Sequence, residues 1–345
     1  MSQITTYKYP DFPPGFRKKG TNLLFHSSYW IEVLRLTYKM DFVLGLDDYS
    51  EQFLIFGIVD NPFEKKLISL PFSDYSGEDN LSPETASLII KSIQKEFPLY
   101  NIVFKSRFPS GSVLKYGTHE KSAVYHRIEF YDKDLKQVEE SQSSSFKRGV
   151  RKAVKKEVFV ERTRSENDLK EFYGLYGALR MKKFQIIPQP FTFFENIQKS
   201  FFDRNKGFML KAVFSNKHIA SIIVLEHNNA WYYKFGASAK EHLDKRPNNL
   251  LFDELIHLAI EKGIDFIDLG MSGAGEDYKG LRKFKEDMGG KEYPISLFNF
   301  EALQLEDKEK EDKKILNEFT KLIVSQKPPI KQVSELSEFL YPFFV

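Results

Sequence analysis

The sequence contains no cysteine among its 345 residues. That absence removes disulfides, thiolate metal ligands and cysteine nucleophiles together, and it suits a reducing cytoplasm, where the protein is expected to reside. No segment approaches the roughly 18 uncharged apolar residues that span a bilayer, so no transmembrane helix is expected. The stretch Met1 to Tyr9 carries no apolar run, and no secretory signal is expected. No histidine has metal-ligand spacing: His218 and His227 flank one expected strand and His257 lies on an expected helix, so no metal site is expected. A large net charge is missing too. With 51 basic and 48 acidic side chains the balance is +3, which leaves any contact with nucleic acid to local clustering.

What is present is a hydrophobic content of 41% and 33 phenylalanines, enough for one large core or two ordinary ones, and the length favours two domains. Asn22 to Leu36 reads as a helix, Phe53 to Val59 and Leu67 to Phe72 as strands, and Ser82 to Phe97 as a helix. That last helix has Ser82 as N-cap, Pro83 first and Ala86, Ile89, Ile90 and Ile93 on one face. Tyr100 to Arg107 and Tyr125 to Tyr131 read as further strands. Ser141 to Phe146 reads as a polar hinge feeding a basic segment, Lys147 to Arg164, with eight basic against two acidic side chains. Such a run is either a solvated face or a surface for phosphates, with Arg151, Lys152 and Lys155 the candidates for nucleic acid.

In the second half, Ser165 and Asp168 have capping-box spacing ahead of Leu169, Phe172, Tyr176 and Leu179, and Thr192 is expected to cap the next helix. Three strands, Phe208 to Phe214, Ile219 to Leu225 and Trp231 to Ala237, are separated by Asn216-Lys217 and Asn228-Asn229, the pattern of short hairpins. A helix Asn249 to Lys262 ends at Gly263, and a strand Ile264 to Leu269 follows. Glu306 to Lys314 is a mixed-charge run, Ile315, Phe319 and Ile323 suggest a short helix, and Phe339 to Val345 is expected to pack on the core or a partner.

Four strings, Leu70-Pro-Phe-Ser-Asp-Tyr-Ser-Gly77, Phe146-Lys-Arg-Gly-Val-Arg-Lys-Ala-Val154, Pro247-Asn-Asn-Leu-Leu251 and Gly280-Leu-Arg-Lys-Phe-Lys285 with Gly289-Gly290, occur in this order. Together with the order of elements in 165 to 290, they resemble the FemABX and FemAB-like transferases of the GNAT N-acyltransferase superfamily. The resemblance covers roughly residues 20 to 300. It implies an α/β (α+β) fold of two GNAT-like domains, each a mixed, mainly antiparallel sheet flanked by helices. The expected division is 1–140, 141–300 and a helical extension 301–345. It also implies an amine attacking an aminoacyl ester carried on tRNA, usually to extend a cell-wall peptide. The long coiled-coil arm that some members insert is absent from 180 to 207.

Amide formation from an ester requires a neutral amine, an aligned carbonyl and donors for the developing oxyanion, with no resident cofactor. The resemblance places Lys285 near the reacting ester, with Phe284 packing its stem or stacking on a base; a surface lysine is the alternative. Asp74 is the candidate to accept the ammonium proton or orient the acceptor, or it caps a turn. Asn248 and Asn249 are candidates to bond donor carbonyls, and Asn248 also suits an N-cap. Arg282, Tyr278 and Arg180 are candidates for carboxylate and phosphate contacts. The loop Ala239 to Asn248 lacks the glycine-spaced amides that hold coenzyme A pyrophosphate in a GNAT fold, and Pro247 removes one amide outright. Three functions stay open: a Fem-like transferase using aminoacyl-tRNA on a cell-wall amine, an acyl-CoA-dependent N-acyltransferase, and a catalytically inactive binding protein of the same fold.

Overall fold

A computed structural model describes residues 3–13, 23–62, 64–77, 81–108, 117–130, 135–303 and 309–343. Its elements run β1 (Ile4–Lys8), α1 (Ser28–Tyr38), β2 (Asp41–Asp47), β3 (Phe53–Asn61), β4 (Glu64–Ile68), α2 (Pro83–Glu96), β5 (Asn101–Ser106) and β6 (Thr118–Glu129). Then come α3 (Leu135–Ser141), α4 (Ser144–Lys155), β7 (Phe159–Thr163), α5 (Glu166–Phe184), α6 (Phe191–Ile197), β8 (Gly207–Phe214), β9 (Lys217–His227) and β10 (Ala230–Ser238). Last are α7 (Pro247–Glu261), β11 (Phe266–Gly273), α8 (Lys279–Asp287), β12 (Lys291–Phe300), α9 (Glu309–Ser325) and α10 (Ile330–Leu340).

The chain divides into two units: 1–123 with 294–322 and 338–345, and 124–293 with 323–337. These divisions fall inside β6, β12, α9 and α10, whereas the sequence division was placed at 140 and 300. In the first unit the strand order is β1-β2-β3-β4-β5-β12, antiparallel except for the β4–β5 pair. In the second it is β7-β8-β9-β10-β11-β6, with β7 through β10 antiparallel and β10–β11 parallel. The two units therefore repeat one plan: antiparallel strands, a crossover helix (α2 or α7), then a parallel strand. A parallel return needs such a crossover.

Local chemistry explains the elements. Ser82 caps α2 by accepting from the Thr85 amide, and Ala86, Ile89, Ile90 and Ile93 are all buried against the first sheet. Ser27 caps α1 through the Trp30 amide, so the expected single helix from Asn22 starts only at Ser28. The turns Ser215-Asn216 and Asn228-Asn229 take positive φ at both residues, as tight hairpins require. Gly263, at φ +68, closes α7 in the left-handed region that a side chain disfavours. The second core joins Trp231, Phe208 and Val224 of the sheet to Leu251, Leu255 and Ala259 of α7.

Several expectations need correcting. The strand expected to reach Phe72 ends at Ile68, because Leu70 and Phe72 both turn into the left-handed region. Ser141 to Phe146 is no hinge but a tight junction of two helices, with Ser143 capping α4 through the Phe146 amide. Thr192 lies inside α6, whose N-cap is Pro190. The strand Asp41–Asp47 was not anticipated. In the tail, α10 docks on the second unit through the Ser334 hydroxyl, which accepts from the Phe191 amide at 2.9 Å. Tyr341 stacks on Tyr38 and lies tilted against Phe72 in the first unit. Phe339 is exposed, whereas 304–308 and 344–345, parts of two sequence expectations, lie outside the described residues.

Candidate active site

Strand β10 pairs in parallel with β11 over three residues only, Ala230, Trp231 and Tyr232 against Phe266, Ile267 and Asp268. Directly after Tyr232 its register with β9 shifts between Tyr233 and Phe235. This bulge re-aims the strand, so β10 and β11 part while β10 stays bonded to β9. A cavity of about 760 Å³ occupies the parting, with Tyr233, Gly236, Ala237 and Ser238 on one wall, Leu269 on the other and Phe252 of α7 and Phe284 of α8 beside them. In the first unit the loop after β4 continues the pairing with β5 at the matching place. There Ser69 donates to the Val103 carbonyl, Ser76 donates to the Lys105 carbonyl, and Ser76 bridges to Ser106, so the loop after β4 fills the gap.

Lys285 lines the cavity and is 3% exposed. Its Nζ donates to the Gly270 carbonyl (2.7 Å), the Met271 carbonyl (3.2 Å) and Ser272 Oγ (2.9 Å). Burial of an ammonium is costly without such partners, so the end of β11 is built to hold this cation. The Gly270 amide in turn donates to Asp268 Oδ1 (2.7 Å), and Asp268 faces the Arg127 guanidinium at 3.6 Å. The lysine is thus buried rather than on the surface, and the segment Arg282 to Lys285 lies within α8. The helix forms because Phe284 packs edge-on to Phe252 at 5.7 Å and lies 6.3 Å from Phe146.

A second cavity of about 620 Å³ shares Leu243, Asn248 and Phe284 with the first. Its walls carry Arg148 and Lys152 of α4, Arg246 just before α7 and Lys283 of α8. Asp287 is the one acidic residue among them, and it pairs with Lys283 at 2.8 Å. The first turns of α4 (Ser145, Phe146) and α7 (Pro247, Asn248) also face this groove. The positive ends of these two helix dipoles and the side-chain cations act with one sign, favouring an anion.

The remaining sequence candidates sort by position. Asn248 lines both cavities, and its Oδ1 accepts from Ser238 Oγ at 2.8 Å; it is not the N-cap, since α7 starts at Pro247 behind a left-handed Arg246. Asn249 is buried and donates to the Phe146 carbonyl at 3.4 Å, tying α7 to α4. Arg282 turns away from the cavity and donates to the Gly273 and Gly275 carbonyls, at 2.5 and 2.9 Å. Tyr278 is 47% exposed beside Gly273, outside both cavity linings. Arg180 lies over the rings of Tyr176 and Phe184, again outside the linings, while its helical neighbours Lys182 and Lys183 are at the rim. Of the basic trio, Lys152 lines the groove, and Arg151 and Lys155 are exposed outside its lining. Asp74 lies in the first unit, half-buried between Ser73 and Tyr75, which are buried. Sequence reasoning missed Arg148, Arg246 and Lys283, whose shared groove depends on three separate helices.

It also missed His126. The ring is fully buried, its Nε2 is 3.5 Å from Glu292 Oε2, and burial together with the charges of Lys285 and Arg282 pushes its pKa down to about 4. His126, Glu286 and Glu292 gather ligand atoms within 4.8 Å, as do Asp168, Glu171 and His218. In each group the histidine is distant in sequence from the two acids, so no local spacing joins them. In the second group the Lys211 ammonium already sits 2.8 Å from Asp168 Oδ1. Among the described residues, no helix is long and apolar enough to cross a membrane.

Residues 140–280 match the family model described as an acetyltransferase (GNAT) domain. No curated protein matches the sequence. Among solved structures, FemX superposes with a TM-score of 0.62 at 15% identity, over 84% of this chain and 95% of that one. The L-PGS of Bacillus licheniformis gives 0.54 at 11% identity, over 90% and 94%. The C-terminal domain of a putative lysylphosphatidylglycerol synthetase from Agrobacterium fabrum gives 0.53 at 12% identity, over 79% and 87%. At these identities the likeness is one of fold.

Proposed function

We infer, from a chain whose residues 140–280 carry a GNAT domain within a FemX-like fold, that the protein is an amide-forming transferase of Fem type. The donor in this reading is an aminoacyl-tRNA and the acceptor an amine of a cell-wall or related precursor. The observation that carries it is the pairing of the cavity in the β10–β11 parting with a groove walled by Arg148, Lys152, Arg246 and Lys283. A donor that joins an activated carbonyl to phosphates fits that pairing, with side-chain cations standing where a glycine loop would hold pyrophosphate.

In the reaction, the neutral amine nitrogen attacks the donor carbonyl carbon. A C–N bond forms, the ester C–O bond breaks, and the ribose hydroxyl leaves with the proton that the amine gives up. Negative charge builds on the carbonyl oxygen in between. The Lys285 ammonium, already desolvated and fixed by three oxygens, supports that charge through its field without reorganising. Phe284 and Asn248 border both cavities and would hold the donor where its acyl end meets its phosphate end.

A second reading, acyl transfer from coenzyme A, is favoured by the match to the acetyltransferase domain. The absence of glycine from Ala239 to Lys262 counts against it, since backbone amides usually hold the pyrophosphate. The deciding experiment supplies the protein with radiolabelled aminoacyl-tRNAs or acetyl-coenzyme A, together with a nucleotide-linked cell-wall precursor bearing a free amine. A label transferred from tRNA is the expected result. Transfer from coenzyme A alone selects the second reading, and no transfer from either donor sinks both.

A further inference from the structure

The cavity beside Lys285 is chemically lopsided. Its interior is formed by Ile222, Tyr233, Ala237, Phe252, Leu269 and Met288, from three strands, α7 and the end of α8. Ile222, Ala237, Phe252, Leu269 and Met288 are all core residues elsewhere along their side chains, so these walls are held in place by packing. The rim is cationic: Lys182, Lys183 and Lys240 are exposed there, and Lys285 is fixed within. Against these four lysines stands one carboxylate, Glu241, which is itself exposed at the rim.

We propose that the group this protein transfers is bulky and apolar, of the size of a leucyl or phenylalanyl residue, and that small and cationic aminoacyl groups are discriminated against. The inference rests on the donor reading above and specifies its acyl part. A glycyl or alanyl group would leave most of the cavity to water held against apolar walls, which carries no affinity. A lysyl side chain would bring its ammonium among apolar walls beside the fixed Lys285, with the one acid, Glu241, out at the rim. A branched or aromatic group replaces part of that water with contact on the apolar walls. Each additional methylene buried contributes about fourfold in affinity, so a leucyl group should exceed an alanyl group by roughly tenfold to sixtyfold. An α-ammonium, if the group is an amino acid, has its counter-charge in Glu241 at the rim, which points the side chain inward.

The test is calorimetric titration of the full chain with stable donor mimics: 3′-amino-3′-deoxyadenosine carrying phenylalanyl, leucyl, alanyl, glycyl or lysyl in amide linkage. Octanoyl- and acetyl-coenzyme A form a parallel arm. The expected order is phenylalanyl and leucyl at least tenfold tighter than alanyl and glycyl, with lysyl weakest; in the coenzyme arm octanoyl exceeds acetyl. Ala237→Leu, which narrows the interior, should compress the leucyl-to-alanyl ratio toward one. Should that variant fail to fold, Ala178→Phe on the half-buried face of α5 that lines the same cavity carries the comparison. Binding without a size order, or with glycyl or lysyl preferred, overturns the selectivity while leaving the donor reading intact. No binding of any adenosine or coenzyme mimic overturns both.

Discussion

Gly149 and Asn249 are fitted to each other: a Cβ on Gly149 would lie 2.4 Å from Asn249 Nδ2, inside contact distance. The glycine lets α4 approach α7 closely enough for the Asn249 amide to reach the Phe146 carbonyl. Both helices wall the basic groove, so this contact sets its width. Gly149→Ala should force them apart at a cost of about 1–3 kcal/mol. Chemical denaturation will show a lower midpoint, and binding of anionic ligands to the groove should weaken in parallel. An unchanged midpoint would mean that the helices are free to separate.

Much of this arrangement was legible beforehand, and the reasons differ by element. The β8–β10 meander was readable because Asn216 and Asn228-Asn229 supply positive φ where hairpins need it. The α2 helix was readable because its cap, proline and apolar face agree. The start of α7 was misplaced because Arg246 adopts a left-handed conformation with no sequence signal of its own. No helix was expected over α8, although Leu281, Phe284 and Met288 fall at helical spacing between its charged residues. It is helical because of contacts made by Phe284 and Lys285 with residues up to about 140 positions away. Lys285 and Phe284 were singled out as candidates through the Fem-like string alone. His126 carried no signal, since Glu292 and Lys285 reach it only in the fold.

Replacing Lys285 separates support of the fold from support of the reaction. Lys285→Met keeps the volume but strips the donor from the buried Gly270 carbonyl, the part-buried Met271 carbonyl and Ser272. Stability should fall by roughly 1–3 kcal/mol for polar groups left unmet. Transfer should fall by about a hundredfold or more, because a fixed charge near the oxyanion is lost. Ser272→Ala removes one of the three acceptors and leaves the ammonium, so it should cost some stability with a far smaller loss of transfer. Equal losses of rate in the two variants would reduce Lys285 to a scaffold.

His126 gives the protein an acid-side sensitivity. In the folded chain the imidazole stays neutral down to about pH 4, while the unfolded chain takes up the proton near 6.5. Between those values the unfolded state binds more protons, so stability declines as pH drops from 6.5 toward 4 and is unaffected by this group above 6.5. The span corresponds to on the order of 1–3 kcal/mol. Urea denaturation of His126→Gln at pH 7 and pH 5 should show a smaller pH difference than the parent protein, by about that amount. A parent and variant that lose stability in parallel would show that the ring is solvated before the chain unfolds.

The groove and the outer face of α4 make different predictions about salt. Arg148, Lys152, Arg246 and Lys283 converge on one cavity, whereas Arg151 and Lys155 are exposed outside it. Each phosphate neutralised on a single strand releases counterion and contributes about −0.7 to the slope of log affinity against log salt. A short RNA ending in the unpaired 3′ segment of tRNA should therefore bind with a slope that flattens by roughly 2 to 3 when the four groove cations are changed to glutamine. Neutralising Arg151 and Lys155 should flatten it by less than 1 on the same scale, because their charge meets the ligand only through solvent. Filter binding at several salt concentrations reads both numbers. If the outer pair proves the stronger determinant, the RNA runs along the exposed face of α4, and the groove must then serve some smaller anion.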